Sequence, residues 1–329
     1  MRQMADECRI SVILITHKLR EVEAYARDVS VLRHGRLTGQ GSVGDLGHGD
    51  MVRMMIGREN ISPPAARSAD PPGDVALQVR NLTIRNDKGL TAVSAVSLCV
   101  NAGEIVGIAG VSGNGQTEFV EALAGQRAEE DGEILVDGRS YARSRQEMRA
   151  LGVFLLPEEP LDNGCVRSMS VAENLALRNF DRTPNTIGGY FVHRASIAEQ
   201  ARRLIQQFDI KTQGPDAHIE TLSGGNIQRT VLARELSEKV HVLIAQNPCF
   251  GLDLNAVAEI RNRIMEARND RAAVLLISED LDEIMELADR IVVMFEGRFV
   301  HETLREDADI HVIGRHMSSH VEEGVREHA

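Results

Sequence analysis

Two glycine-rich stretches contain the residue types that could bind phosphate. The first follows a short apolar strand predicted at 104–109 and precedes a helix predicted at 118–123. Its glycines permit backbone shapes in which successive N–H groups point at an anion at the helix N-terminus. This strand–loop–helix order favours a phosphate loop, although a glycine-rich turn in another α/β fold would have a similar composition. The candidate residues are Gly110, Ser112, Gly113, Asn114, Gly115, Gln116, Thr117 and Glu118.

One position of this loop departs from the GxxxxGK[ST] pattern of phosphate loops. The pattern has a lysine that reaches the β- and γ-phosphates of a nucleotide, whereas this chain has Gln116. A charge-assisted hydrogen bond contributes roughly 1.5–3 kcal/mol, against about 1 kcal/mol for a neutral one. We therefore expect weaker nucleotide binding by about an order of magnitude. We expect a larger deficit in hydrolysis, where the charge of the transition state must be neutralised.

The second stretch, LSGGN, precedes a helix predicted at 230–236. A serine and two glycines before a helix form an exposed anion-binding N-terminus or, taken alone, an ordinary N-cap and loop. The downstream sequence favours the first interpretation, because an apolar strand at 242–245 and then Gly-Leu-Asp at 251–253 come after the helix. We call this stretch the signature stretch; its residues are Leu222, Ser223, Gly224, Gly225 and Asn226.

The order of phosphate loop, LSGG, apolar strand and Gly-Leu-Asp resembles the cassette of ATP-binding-cassette (ABC) transporters. LPEE at 156–159 and MSVAENLAL at 169–177 resemble the tandem-cassette ATPases of simple-sugar and nucleoside importers. The resemblance implies an α/β P-loop NTPase fold with an antiparallel β-layer, a mixed or parallel core sheet and a helical subdomain. It implies ATP as the ligand, Mg²⁺ near Thr117, and a signature stretch that closes the ATP site of a second cassette. In this family Glu158 would couple to the permease, and Asp253 would face the opposite cassette.

At four positions this chain lacks the catalytic or ligand-binding residue that the resemblance implies. The magnesium-binding aspartate is Gln246, the catalytic glutamate is Asn247, the switch histidine is Glu279, and the phosphate-loop lysine is Gln116. An amide can act neither as a carboxylate base nor as a charged Mg²⁺ ligand. We therefore predict a degenerate cassette with no intact catalytic residue and little intrinsic ATPase activity, which supplies its signature stretch to a partner site.

An internal repeat determines the predicted domain organisation. Residues 12–37 align without gaps with residues 274–299, and nine of 26 positions are identical. Both copies predict a buried strand, an amphipathic helix and a second strand. His17 aligns with Glu279 and is the histidine that an active first cassette requires. The predicted domains are a C-terminal remnant of a first cassette (1–60), a linker (61–73), a second cassette (74–300, helical insert about 162–236) and an acidic tail (301–329).

Because only a remnant of a first cassette is predicted before the linker, we expect an N-terminal truncation, a split gene or a mis-assigned start of the chain.

The predicted tail contains five histidines, so it is expected to be either a solvated segment or a metal site. These histidines are His301, His311, His316, His320 and His328.

Composition narrows the function classes. The chain has 329 residues and a net charge of −12, which argues against a general nucleic-acid surface. The four cysteines have no metal or disulfide spacing, which indicates a reducing compartment. No apolar run approaches the roughly 18 residues of a membrane span. Disulfide-built, collagenous and integral-membrane classes are excluded.

The sequence leaves three functions to compare. The first is the ATP-binding subunit of a nucleoside or simple-sugar importer, peripheral at the cytoplasmic face of the cell membrane. Its implied partners are two permease subunits, a periplasmic or lipoprotein substrate-binding protein and a competent first cassette. The second is a non-catalytic nucleotide-binding module or truncated-gene product without transport activity. The third, a soluble ABC ATPase of DNA repair or translation, is disfavoured by the charge and by the lack of a coiled coil.

Overall fold

The computed structural model describes residues 10–16, 19–33, 35–56 and 65–318, which divide into two compact units. The N-terminal unit comprises the described residues up to 56 together with Leu252–Glu259, and the main unit comprises the other described residues. His17 lies outside the described residues. Across the described part of the chain, no helix has the length and apolar character that a membrane span requires.

The N-terminal unit has a small core of its own. Its elements are α1 (Leu19–Tyr25), β1 (Asp28–Arg33), β2 (Arg36–Ser42) and α2 (His48–Ile56). The two strands form an antiparallel hairpin. Leu19, Val22 and Met51 are buried at the centre, with partly buried apolar side chains around them. Among the described residues this cluster is small, so it buries little apolar surface.

The main unit is built on two β-sheets. The strands are β3 (Val75–Arg85), β4 (Thr91–Asn101), β5 (Ile105–Ala109), β6 (Asp131–Val136), β7 (Arg139–Ser140), β8 (Val153–Leu156), β9 (Thr186–Ile187), β10 (Phe191–Val192), β11 (Val242–Gln246), β12 (Ala273–Ser278), β13 (Arg290–Phe295) and β14 (Arg298–Leu304). The antiparallel sheet has the order β4-β3-β6-β7, and the mixed sheet has the order β14-β13-β5-β12-β11-β8. Strands β5, β8, β11 and β12 are buried at every residue, as expected for parallel strands covered on both faces.

Helices cover the mixed sheet and form a separate helical subdomain. The helices are α3 (Gln116–Leu123), α4 (Arg145–Ala150), α5 (Val171–Ala176), α6 (Arg194–Gln207), α7 (Gly224–Glu235), α8 (Leu254–Asn269), α9 (Leu281–Leu287) and α10 (Ile310–Ser318). The subdomain contains α5, α6 and α7, and the short hairpin β9–β10 lies between α5 and α6. The architecture confirms the predicted fold class, with its antiparallel layer, mixed core sheet and helical part.

The antiparallel layer is larger than predicted. The sequence pattern assigns residues 103–156 to the core sheet, yet β6 and β7 belong to the antiparallel sheet. Strand β6 pairs with β3, with Val79 opposite Ile134, and one core joins both sheets. The choice of partner strand depends on contacts distant in sequence, so a local apolar pattern does not indicate it.

The repeat at an offset of 262 residues is visible in the element bounds. The elements α1, β1, β2 and α2 have the bounds of α9, β13, β14 and α10 shifted by 262 residues. The hairpins share a register shift after Val31 and after Val293. Gly35 and Gly297 both have a positive φ at the hairpin turn, 73° and 72°. The two segments therefore have the same local structure, and the similarity extends to residue 56, beyond the aligned 26 positions.

The first predicted strand of the repeat is not formed. Residues 12–15 have no regular structure, and the side chains of Ile13 and Ile15 are 91% and 95% exposed. The equivalent strand β12 is paired on both sides, with β11 and β5. No described strand pairs with residues 12–15, and a buried parallel strand is not stable without such neighbours.

Part of the predicted linker belongs to the main unit. The Ser68 N–H donates to Asn269 Oδ1 at 2.9 Å, and the Gly73 N–H donates to the Ala102 carbonyl at 2.8 Å. The Arg67 guanidinium forms an ion pair with Asp289. Residues 65–73 are thus fixed along the surface of this unit, while residues 61–64 lie outside the described residues.

The predicted tail also differs from expectation. Residues 301–318 complete β14 and form α10, which packs on β13 and buries Ile313 and Met317. The rings of His301 and His316 stack with centroids 4.5 Å apart. Apolar residues at helical spacing, not the charge of the segment, decide its structure. Within the described ranges no cluster of metal-binding side chains occurs. His320 and His328 lie outside those ranges.

Candidate functional site

The predicted phosphate loop connects β5 to α3 at the end of the mixed sheet. Gly113 and Gly115 have positive φ angles of 89° and 100°. A Cβ on Gly115 would collide with the carbonyl oxygen of Ala92. At this position the loop therefore requires glycine both for its backbone angle and for the approach of a neighbouring strand.

Asn114 attaches the loop to the turn between β13 and β14. Its Oδ1 accepts the Glu296 N–H at 2.9 Å, and its carbonyl accepts the Gly297 N–H at 3.0 Å. Its Nδ2 donates to the Val111 carbonyl at 3.0 Å within the loop. The sequence pattern places Asn114 in the loop but gives no sign of this positioning role, because the turn it binds is about 180 residues away.

The side chain of Gln116 folds back over the loop. Its Oε1 accepts the Asn114 N–H at 3.1 Å, and its Nε2 donates to the Val111 carbonyl at 3.1 Å. Only 7% of the residue is exposed. The residue that replaces the lysine is thus hydrogen-bonded to the backbone of the loop itself.

The other predicted departures meet beside this loop. Gln246 Nε2 donates to Thr117 Oγ1 and to Glu158 Oε2, each at 3.3 Å. Asn247 Oδ1 accepts the Glu279 N–H at 3.0 Å, and the Asn247 side chain also hydrogen-bonds Glu158. The structure therefore brings Thr117, Glu158, Gln246, Asn247 and Glu279 into one polar cluster at the carboxyl ends of β8, β11 and β12.

This donor set does not fit a protein-held Mg²⁺. Magnesium prefers oxygen ligands that include one or two carboxylates. Here the Gln246 amide nitrogen donates to both oxygens that could serve, Thr117 Oγ1 and Glu158 Oε2, so an N–H donor lies where the cation would bind. In the described part of the chain, no three His, Cys, Asp or Glu residues are arranged to hold a metal ion. We therefore assign no chemical step to a metal in this pocket.

The cluster is electrostatically unfavourable for anions. Burial raises the pKa of Glu158, the charges of Glu279 and Glu159 raise it further, and the Asn247 hydrogen bond opposes the shift. A second carboxylate, Glu279, is exposed at the edge of the cluster. Ionised glutamates at this place repel a bound phosphate chain.

The raised pKa of Glu158 predicts a pH dependence of stability. The folded state binds the Glu158 carboxyl proton more tightly than the unfolded state does. The contribution of this proton to the free energy of unfolding is therefore complete below the ordinary pKa of 4.5. We expect the free energy of unfolding to fall as the pH rises from 4.5 through the raised pKa. Urea titrations at a series of pH values should show this fall, and Glu158→Gln should flatten it. Glu199→Gln, at an exposed residue of α6, is the matched control; an equal slope in both variants would refute the assignment.

The signature stretch begins α7, with Ser223 at the N-cap. Its hydroxyl bonds no N–H of the helix, and its Oγ accepts Asn226 Nδ2 at 2.8 Å. Asn226 Oδ1 accepts the Lys211 N–H at 2.7 Å. Ser223 and Gly224 are exposed, and a Cβ on Gly224 would meet no atom within 4 Å.

Two other predicted groups form hydrogen bonds of their own. No hydrogen bond among the described residues joins the signature stretch to the phosphate loop. Asp253 caps α8, where its Oδ1 accepts the N–H groups of Asn255 and Ala256 at 3.0 Å. Leu222 is half-buried, and Gly225 lies in the first turn of α7. Within this chain, therefore, the signature stretch is an exposed helix start.

Comparison with known proteins assigns these motifs to a family. Residues 93–249 match the family model described as ABC transporter. This stretch is similar to ABC transporter ATP-binding domains. The chain shares the fold of solved ABC cassettes, including cbiO1 of Clostridium perfringens, part of the ABC transporter complex cbiONQ. That structure matches with a TM-score of 0.56 and 23% identity over 74% of this chain and 92% of its own.

The chain is also similar to ATP-binding proteins of sugar and nucleoside importers. The chain is 40% identical to the glucose import ATP-binding protein TsgD13 of Haloferax volcanii over 97% of its own length. It is 37% identical to the nucleoside import ATP-binding protein NupA of Lactococcus lactis over 88% of its length. It spans only 58% and 57% of those two proteins.

Proposed function

We propose that this chain is an ATP-binding subunit of an importer for sugars or nucleosides, whose own pocket binds nucleotide without hydrolysing it. Its signature stretch completes the ATP site of a competent partner cassette. One observation carries the proposal: the polar cluster has amides at Gln246 and Asn247, where hydrolysis needs a charged metal ligand and a carboxylate base, while the scaffold around it is intact.

The intact scaffold supports a retained role. The loop keeps Gly115 where a Cβ would collide with Ala92, and Asn114 keeps it attached to the β13–β14 turn. Loss of function without selection would be expected to damage these positions as readily as the cluster. The chemistry is absent because Asn247 offers an amide, already hydrogen-bonded, where a carboxylate base is required.

The exposed signature stretch supports a role between cassettes. The first N–H groups of α7 have no partner within the helix, and the helix dipole favours an anion there. Gly224 leaves open space above the backbone for a phosphate group. Peripheral binding at the cytoplasmic face of a membrane, with two permease subunits and a substrate-binding protein, belongs to the same proposal. Nucleic acid is not among the proposed partners.

The purified chain should bind nucleotide and release no phosphate. We expect saturable binding of ATP in a calorimetric titration and phosphate release at the background rate, because amides, Gln246 and Asn247, stand where a charged metal ligand and a carboxylate base are required. Neutralising substitutions at the pocket, such as Glu158→Gln, should strengthen binding without starting turnover. Robust hydrolysis that Asn247→Ala abolishes would contradict the proposal. Binding without any effect on a partner cassette would favour the non-catalytic module instead.

A further inference from the structure

We propose that the Gln116 side chain occupies the phosphate loop as an internal competitor of a bound phosphate. The inference rests on the proposed function, since it takes the loop to be a nucleotide site. Gln116 begins α3, yet its amide turns back toward the residues that precede it. Both polar atoms of the amide are used, by the Asn114 N–H and by the Val111 carbonyl.

The side-chain amide of Gln116 lies inside the phosphate loop. A Cβ on Gly110 would collide with Gln116 Nε2, so the amide lies directly against the backbone at Gly110. From there it reaches Asn114 at the other side of the loop. The residue is 7% exposed, which shows that the loop encloses the amide.

The Gln116 amide accepts a hydrogen bond from a backbone N–H group that a phosphate would otherwise bind. A phosphate loop binds its anion through backbone N–H groups, and the Asn114 N–H is one of these. An amide carbonyl oxygen carries partial negative charge and accepts this hydrogen bond when no anion is present. A lysine ammonium has only donors and could not do so. The change to glutamine therefore removes a cation and also adds an acceptor that competes with phosphate.

Displacement of the amide weakens nucleotide binding. A phosphate oxygen must break the hydrogen bonds to Asn114 and Val111 before it reaches the Asn114 N–H. Two neutral hydrogen bonds correspond to about a 30-fold change in affinity. Removal of the Gln116 side chain should therefore strengthen nucleotide binding. If the side chain instead contacted the phosphate, its removal would weaken binding.

The test compares ADP binding to the full chain and its variants by calorimetric titration. Gln116→Ala should bind ADP about 30-fold more tightly than wild type, and Gln116→Met, which keeps the volume, should do the same. Gln146→Ala, at an exposed glutamine of α4, should leave the affinity unchanged. In the absence of ADP, hydrogen exchange of the Asn114 amide should be faster in Gln116→Ala than in wild type.

The contradictory outcomes separate this inference from the proposed function. Weaker ADP binding by both Gln116 variants, or unchanged exchange at Asn114, overturns the internal competitor and leaves the nucleotide site standing. Absence of ADP binding in wild type and in both variants overturns the inference and the proposed nucleotide site together.

Discussion

Replacing Ser223 by alanine is expected to reduce ATP hydrolysis by the assembled transporter about a hundredfold. The relevant assembly contains this chain, the permease and a cassette with an intact phosphate-loop lysine, catalytic glutamate and switch histidine. Ser223 presents an exposed hydroxyl at the start of α7 that makes no bond to the helix N–H groups. Removal of one preorganised donor to a transition-state oxygen lowers turnover by about 10²–10³.

The control for this prediction is Ser237→Ala, just beyond the other end of the same helix. Its hydroxyl donates to the Arg234 carbonyl at 3.0 Å and would not reach a partner's nucleotide. ATPase assays of both reconstituted variants should separate them by at least an order of magnitude. Equal activities would show that the signature stretch takes no part in a composite site.

Glu235→Ala is expected to destabilise the main unit by about 3–5 kcal/mol. Glu235 is buried at the end of α7, where its Oε1 accepts hydrogen bonds from Arg234 Nε at 2.6 Å and from Arg178 Nε at 3.3 Å. Its Oε2 lies 2.6 Å from Arg178 Nη2 in an ion pair. Arg234 also donates to the Gly164 carbonyl at 2.6 Å, which ties α7 to the segment that precedes α5. Removal of the carboxylate leaves two largely buried guanidinium groups without their shared counter-charge.

Urea unfolding measures this effect, with Glu199→Ala as the control. Glu199 and Arg202 form an ion pair on α6 at 2.9 Å, and both side chains are at least 60% exposed. A pair so exposed contributes about 0–1 kcal/mol. A loss below about 1 kcal/mol in Glu235→Ala would mean that the buried arginines find other partners.

Local sequence pattern was sufficient for the core strands and for the fold class. The runs that became β5, β11 and β12 are continuously apolar, and each is buried at every residue. The glycines of the phosphate loop and the LSGG order indicated the ABC cassette, and the family match and solved cassettes support the same assignment. These features are local, so they can be detected in a single sequence.

Features that depend on distant partners were not predictable. Residues 12–15 have the composition of a buried strand, but no described strand pairs with them. Strand β6 pairs with β3, which its local sequence does not indicate. Arg67 and Ser68 are bound to the rest of the main unit, although their segment has the composition of a linker. The hydrogen bonds of Gln116 depend on a side-chain conformation, which residue type alone does not determine.

The central claim is that hydrolysis takes place in a partner cassette and not in the pocket beside Asn247. Steady-state ATPase activity of the reconstituted transporter, measured with Asn247→Ala and with Ser223→Ala in parallel, tests it most directly. We predict that Asn247→Ala retains most of the wild-type rate while Ser223→Ala loses nearly all of it. Loss of hydrolysis in Asn247→Ala with normal activity in Ser223→Ala would contradict the account.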